Sequence, residues 1–149
     1  MSLQENIDKD IKSAMLSKDG ARLRGLRAIK AALLVAKTEK GASDVLTDEA
    51  EVKVLQKLVK QRKESAEIYQ QQNRSDLFQI EQEELQVIEA YLPQQMSRDE
   101  LTAYIRNVIK QSGAATMKDM GRVMSLVNKE LAGKADGKAI SELVKELLA

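Results

Sequence analysis

A single proline, Pro93, interrupts a chain of 149 residues in which apolar side chains otherwise return every third or fourth position. No motif constrains the fold as strongly, because that spacing builds one-sided helices and proline denies the helical conformation to the residue before it. The first stripe is Leu3, Ile7, Ile11, Ala14 and Met15, broken at Lys18-Asp19-Gly20, where Asp19 serves as a cap. Leu23, Leu26, Ile29, Leu33 and Ala36 form the second, running towards Lys40-Gly41 with Gly41 as its terminating glycine. Gly25 inside that helix costs about 1 kcal/mol relative to alanine, which marks it as the site of a close helix crossing.

Thr47 followed by Asp48 and Glu49 reads as a cap with carboxylates in the first turn. The third helix then carries Val52, Leu55, Leu58, Val59, Ala66 and Tyr69. Asn73-Arg74-Ser75-Asp76 breaks it, and a fourth with Leu77, Ile80, Leu85, Ile88 and Leu92 ends near Tyr91. After Pro93, Ser97-Arg98-Asp99-Glu100 is a capping box. Three short helices follow. Leu101, Tyr104, Ile105, Val108 and Ile109 build one that ends near Gly113; Thr116 caps the next, with Met120, Val123, Met124, Val127 and Leu131; Asp136 caps the last, with Ile140, Leu143, Val144, Leu147 and Leu148. The pattern predicts an all-α protein: an N-terminal helical domain of about four helices over 1–92, a linker at 93–96, and a small three-helix C-terminal domain over 97–149.

The absent residue types narrow the chemistry. There is no histidine, cysteine or tryptophan, so the usual neutral-pH general base, the thiolate nucleophile and the imidazole or thiolate ligands of zinc and iron-sulfur sites are missing. Carboxylate-bound magnesium and Lys or Ser chemistry stay open. We expect no cofactor, no metal and no catalytic residue. The N-terminus MSLQENIDKDIKSAM has no basic region leading into an apolar one, and no stretch approaches a membrane span. With zero cysteines this reads as a cytoplasmic protein without a membrane partner.

Net charge is only +1, so attraction to nucleic acid must come from local asymmetry. Met1 to Leu92 carries 15 Lys+Arg against 16 Asp+Glu, whereas Pro93 to Ala149 carries nine against seven. Three constellations stand out. Lys60-Gln61-Arg62-Lys63 on the third helix and Arg22, Arg24, Arg27 and Lys30 on the second are basic strips, either solvated or, if the helices lie side by side, a groove for phosphates. Glu81-Gln82-Glu83-Glu84 with Glu89 is the obvious carboxylate cluster, without a histidine to join it in acid-base work. Met15, Met120 and Met124 lie on apolar stripes and are expected in the core.

The third constellation is Gly113 to Lys138, GAATMKDMGRVMSLVNKELAGKADGK. GKADGK is not a nucleotide-binding loop: it lacks GxxxxGK[ST], since Ala139 follows Lys138, and it follows a helix instead of a strand. It does open a helix, and a helix N-terminus with nearby lysines suits a backbone phosphate. A tight connection needing glycine for an unusual φ explains the same residues.

KQRKESAEIY at Lys60 to Tyr69, EAYLPQQMSRDEL at Glu89 to Leu101, DMGRVMS and GKADGK together resemble the YqeY family of small bacterial proteins over essentially the whole chain. Members of that family are similar to the tail region of the B subunit of the tRNA-dependent amidotransferase. The resemblance implies an N-terminal helical domain followed by a three-helix domain. It also implies a link to carbon-nitrogen ligation with glutamine as amido donor, although nothing resembling either catalytic part of that enzyme is present. The amidotransferase tail recognises tRNA shape, so the leading expectation is a noncatalytic accessory protein that binds tRNA or other structured RNA. Combined with local charge, the resemblance makes Lys118, Arg122, Lys129, Lys134 and Lys138 the phosphate partners, with Gly121, Gly133 and Gly137 allowing close backbone approach. The alternatives are amidotransferase-like activity or docking on an amidotransferase or ligase subunit, and a protein-interaction module without RNA.

Overall fold

The computed structural model describes residues 2–39 and 45–149. Among them seven α-helices and one 3-10 turn succeed one another with no strand: α1 (Leu3–Leu16), α2 (Gly20–Glu39), α3 (Asp48–Gln71), α4 (Ser75–Glu89), α5 (Arg98–Ser112), the 3-10 turn Met117–Asp119, α6 (Met120–Glu130) and α7 (Gly137–Leu148). The expected terminator Gly41 lies outside the described residues. Contacts gather the chain into two compact units, Met1–Leu92 and Pro93–Ala149.

In the first unit, α2 packs on α1, α3 and α4, and α3 packs on α4. Side-chain caps start three of its four helices: Ser2 and Glu5 form a capping box, Asp19 Oδ1 accepts from the Arg22 N–H at 3.1 Å, and Thr47 Oγ1 accepts from the Ala50 N–H at 3.1 Å. The turns between α1 and α2 and between α3 and α4 place Lys18 and Asn73 in the left-handed region. Ile7, Ala14, Leu26, Ile29, Leu33, Leu55, Leu58 and Ile88 form the core.

Gly25 is where α2 meets α4. A β-carbon there would sit 2.7 Å from Val87 Cβ and Cγ1, inside the separation of about 3.5–4.0 Å that two carbons prefer. Met15 differs from expectation, being 54% exposed. Ala14 takes the buried position in the last turn of α1, and its neighbour, about 100° further round the helix, points outward.

The second unit has a core of its own, built on Leu101, Ile105, Val123, Val127, Ile140, Leu143 and Val144, with Met120 and Met124 packed against it. Ser97 and Glu100 close the capping box of α5, which ends at left-handed Gly113. Thr116 stands at the N-cap of the next element, as expected, but the α-helix itself starts only at Met120. Between them lies the 3-10 turn, whose Asp119 carboxylate reaches back to accept the N–H groups of Ala115 at 3.0 Å and Thr116 at 3.3 Å. Residues 93–96, expected as a linker, are fastened to this unit: the Met96 N–H donates to the Lys134 carbonyl at 2.9 Å, Gln95 Nε2 donates to the Gly133 carbonyl at 2.7 Å, and Met96 packs on the core.

Candidate nucleic-acid interface

Most of the basic strips of the first unit are taken up by carboxylates, with Arg27 and Lys60 left without one among the described residues. Arg24 Nη2 lies 2.8 Å from Glu83 Oε2 and Arg24 Nε 4.0 Å from Glu84 Oε1. Arg62 Nε lies 2.8 Å from Glu84 Oε2 and 3.8 Å from Glu81 Oε2. Glu84 therefore joins an arginine of α2 to an arginine of α3. Arg22 pairs with Asp10 at 3.6 Å, Lys30 with Asp8 at 2.7 Å and Lys63 with Glu89 at 3.8 Å. The bare phosphate groove expected if α2 and α3 lay side by side is not what the fold builds, because the acidic run of α4 faces both strips. Burial pushes the Glu81 carboxyl up, with Glu84 adding to the rise and Arg62 opposing it.

Charge in the second unit is arranged differently. Of the five cations singled out in the sequence only Arg122 has an acidic partner among the described residues, Asp119 at 3.4 Å. Lys118, Lys129, Lys134 and Lys138 are exposed. Arg122 and Lys129 are separated by seven positions on α6, two turns and about 10 Å along the axis, so they share one stripe. Lys118 lies in the 3-10 turn that leads into it. Lys134 sits in the α6–α7 connection and Lys138 in the first turn of α7, where Asp136 Oδ1 accepts from the Lys138 N–H at 3.4 Å.

The three candidate glycines separate. Gly133 is buried, left-handed at φ 81°, and its carbonyl is engaged by Gln95, so the turn itself requires it. Gly121 and Gly137 stand in helical segments, exposed, and a β-carbon at either would meet nothing within 4 Å. The described fold gives no packing reason for glycine at those two positions. Tyr104, the one aromatic residue after Pro93, packs against the core and directs its hydroxyl to Glu130. The surface thus offers cations and open backbone, with no ring for stacking a base.

Sequence reasoning passed over Arg106, Lys110 and Lys145, which are exposed. Lys145 is seven positions beyond Lys138 on α7, a spacing that places it on the same stripe, with Glu142 between them. Asp119 was also missed as the group that shapes the turn. Its carboxyl is held below its ordinary value, first by the Ala115 and Thr116 N–H groups and then by Arg122. Among the described residues no group of three or more carboxylates could hold a metal ion, and no helix is long and apolar enough to cross a membrane.

A family model described as Yqey-like protein matches residues 4–148. Among curated proteins, Altered inheritance of mitochondria protein 41, mitochondrial, from Clavispora lusitaniae is 31% identical over 137 residues, covering 88% of this chain and 77% of the relative. The protein of the same name from Pyrenophora tritici-repentis is 30% identical over 148 residues, covering 95% of this chain and 78% of its own length. That from Meyerozyma guilliermondii is 35% identical over 118 residues, covering 75% of this chain and 61% of the relative. These names overturn the cytoplasmic expectation, since all three relatives are named as mitochondrial. The expectation rested on absent cysteines and an absent apolar span, and neither feature distinguishes one aqueous compartment from another.

Proposed function

We propose, from the premise that the chain belongs to the YqeY family, that it is a noncatalytic accessory protein that binds structured RNA, tRNA foremost, by its phosphate backbone. Contact is made by Lys118 in the 3-10 turn, Arg122 and Lys129 along α6, Lys134 in the α6–α7 connection and Lys138 in the first turn of α7. The observation that carries this reading is the contrast in pairing: five of the seven cations in the two basic strips of the first unit are paired with carboxylates, whereas four of these five cations have no acidic partner among the described residues. An unpaired surface cation has no protein contact to give up when it meets a phosphate, while a paired one must first surrender its carboxylate. Gly121 and Gly137 support the reading, because each leaves open surface where a sugar-phosphate chain can approach.

The test is binding of bulk tRNA to the full chain, followed by fluorescence polarisation across a salt series. Each phosphate neutralised on a duplex contributes about −0.9 to the slope of log K against log[salt], so the four unpaired lysines set an expected slope of about −3.6. Lys134→Ala with Lys138→Ala should reduce its magnitude by about 2. Affinity that stays flat with salt, or a slope indifferent to the double variant, refutes the assignment.

A further inference from the structure

We propose that the groove between α1 and α2 is a docking site for an acidic amphipathic helix of a partner protein, separate from the RNA surface proposed above. Gln4, Ile7 and Asp8 of α1 and Lys30, Leu33, Leu34 and Lys37 of α2 line a groove of about 200 Å³. That is below the roughly 300–1,000 Å³ of small-molecule pockets and suits the anchoring side chain of a packed helix.

Its apolar rim is unusual for a solvated surface. Leu34, which lines it, is 60% exposed, on a helix whose inward stripe of Leu26, Ile29 and Leu33 is already buried. Lys30, Leu34 and Lys37 are spaced i, i+4, i+7 and fall on one stripe, so a leucine stands between two lysines. Arg27 is exposed two turns before Leu34 on the same stripe. α2 as a whole carries five basic residues and one acidic residue, Glu39. Asp8 is matched within the groove by Lys30 at 2.7 Å, while Arg27 and Lys37 have no carboxylate within 4.0 Å among the described residues.

This charge pattern selects the occupant. Carboxylates on either side of an aliphatic stripe would meet Arg27 and Lys37 while the stripe covers Leu34, the helix-in-groove mode of recognition. A lipid surface fits less well, because an interfacial helix needs a broad apolar face, and that of α2 is spent on the core. RNA fits less well too, since the centre of the patch is aliphatic and Arg22, Arg24 and Lys30 are paired.

The test uses the full chain and a designed peptide of about 15 residues, long enough for helix formation, with leucines at i, i+3, i+4 and i+7 and glutamates elsewhere. Controls are the same peptide with lysine for glutamate, and phosphatidylcholine/phosphatidylglycerol vesicles. The acidic peptide should bind and shift the amide resonances of Ile7, Lys30, Leu34 and Lys37. Leu34→Asp, at an exposed position, should weaken binding by about tenfold or more, the loss of one aliphatic anchor. Lys37→Glu should weaken it too, and decides the matter alone if Leu34→Asp disturbs the fold. The proposal is overturned by no binding of the acidic peptide, by equal binding of its lysine counterpart, by shifts that map elsewhere, by binding to vesicles alone, or by Leu34-dependent self-association in place of peptide binding.

Discussion

Replacing Gly25 by alanine sets two opposing effects against each other, and the geometry at Val87 decides between them. In an exposed helix the change would stabilise by about 1 kcal/mol, because glycine carries the larger conformational entropy into the helix. Here the new methyl would stand 2.7 Å from Val87 Cβ and Cγ1 and 3.2 Å from Cγ2, so α2 and α4 must separate by about 1 Å to restore ordinary contact. Valine cannot swing aside, since its Cβ is fixed to the α4 backbone and its χ1 is stiff. Overpacking of this kind costs about 1–3 kcal/mol, occasionally more. The net expectation for Gly25→Ala is a loss of about 0–2 kcal/mol. Urea unfolding followed through the methyl resonances of Leu26, Ile29 and Ile88 isolates the first unit and reads this loss. Val87→Ala removes two of the three close atoms and should rescue only in part, whereas Val87→Gly removes all three. In the Val87→Gly background Gly25→Ala should therefore become stabilising by about 1 kcal/mol. A higher urea midpoint for Gly25→Ala alone, or an equal cost in both backgrounds, refutes the close crossing.

Arg62→Ala leaves Glu81 and Glu84, whose side chains are only 18% and 16% exposed, without their nearest cation, and should lower stability at neutral pH by about 1–3 kcal/mol. Because the Glu81 carboxyl is raised by burial, its contribution is full below the ordinary carboxyl value and lost as pH rises through the raised one; the deficit measured by urea unfolding should shrink on acidification. The Tyr91 phenol is pushed up to about 12, first by burial and then by its hydrogen bond to Asp10. Its contribution is present below the ordinary value of about 10 and lost as pH rises through about 12, so ultraviolet titration should show a tyrosine step near that pH, which Tyr91→Phe removes. Asp119 shifts the other way: its contribution holds above the ordinary carboxyl value and fails as pH falls through the lowered one. Asp119→Ala should accelerate amide exchange at Ala115 and Thr116, and acidification of the unaltered protein should do the same.

What could be read from the sequence is what depends on neighbours along the chain. Ser97 with Glu100, Thr47, Asp19 and Asp136 all cap helices by bonds spanning two or three residues, and such bonds are set by local chemistry. Gly25 was legible for a related reason: a helix tolerates an interior glycine where a neighbour leaves no room for a side chain. Asp119 was missed because its bonds run backwards, to Ala115 and Thr116, and turn the expected α-helical start into a 3-10 turn. Met15 was misplaced because Ala14 and Met15 are adjacent apolar residues, and a stripe drawn through both cannot tell which one faces the core.

The candidate site was legible as a set of residue types but not as a distribution of charge, and the reason lies in how ion pairs form. Arg24 finds Glu83 across 59 residues and Arg62 finds Glu84 across 22, separations that no window of sequence connects. Lys60 to Lys63 packs three cations into four residues, yet Arg62 and Lys63 face α4 carboxylates. The cations around α6 and the start of α7 are fewer but mostly unmatched. A polyanion responds to charge that remains after internal pairing, because each exposed pair it must break offsets part of the counterion release that drives binding. Neutralising Lys134 and Lys138 should therefore cost more RNA affinity than neutralising Arg62 and Lys63, although the second pair belongs to the denser cluster.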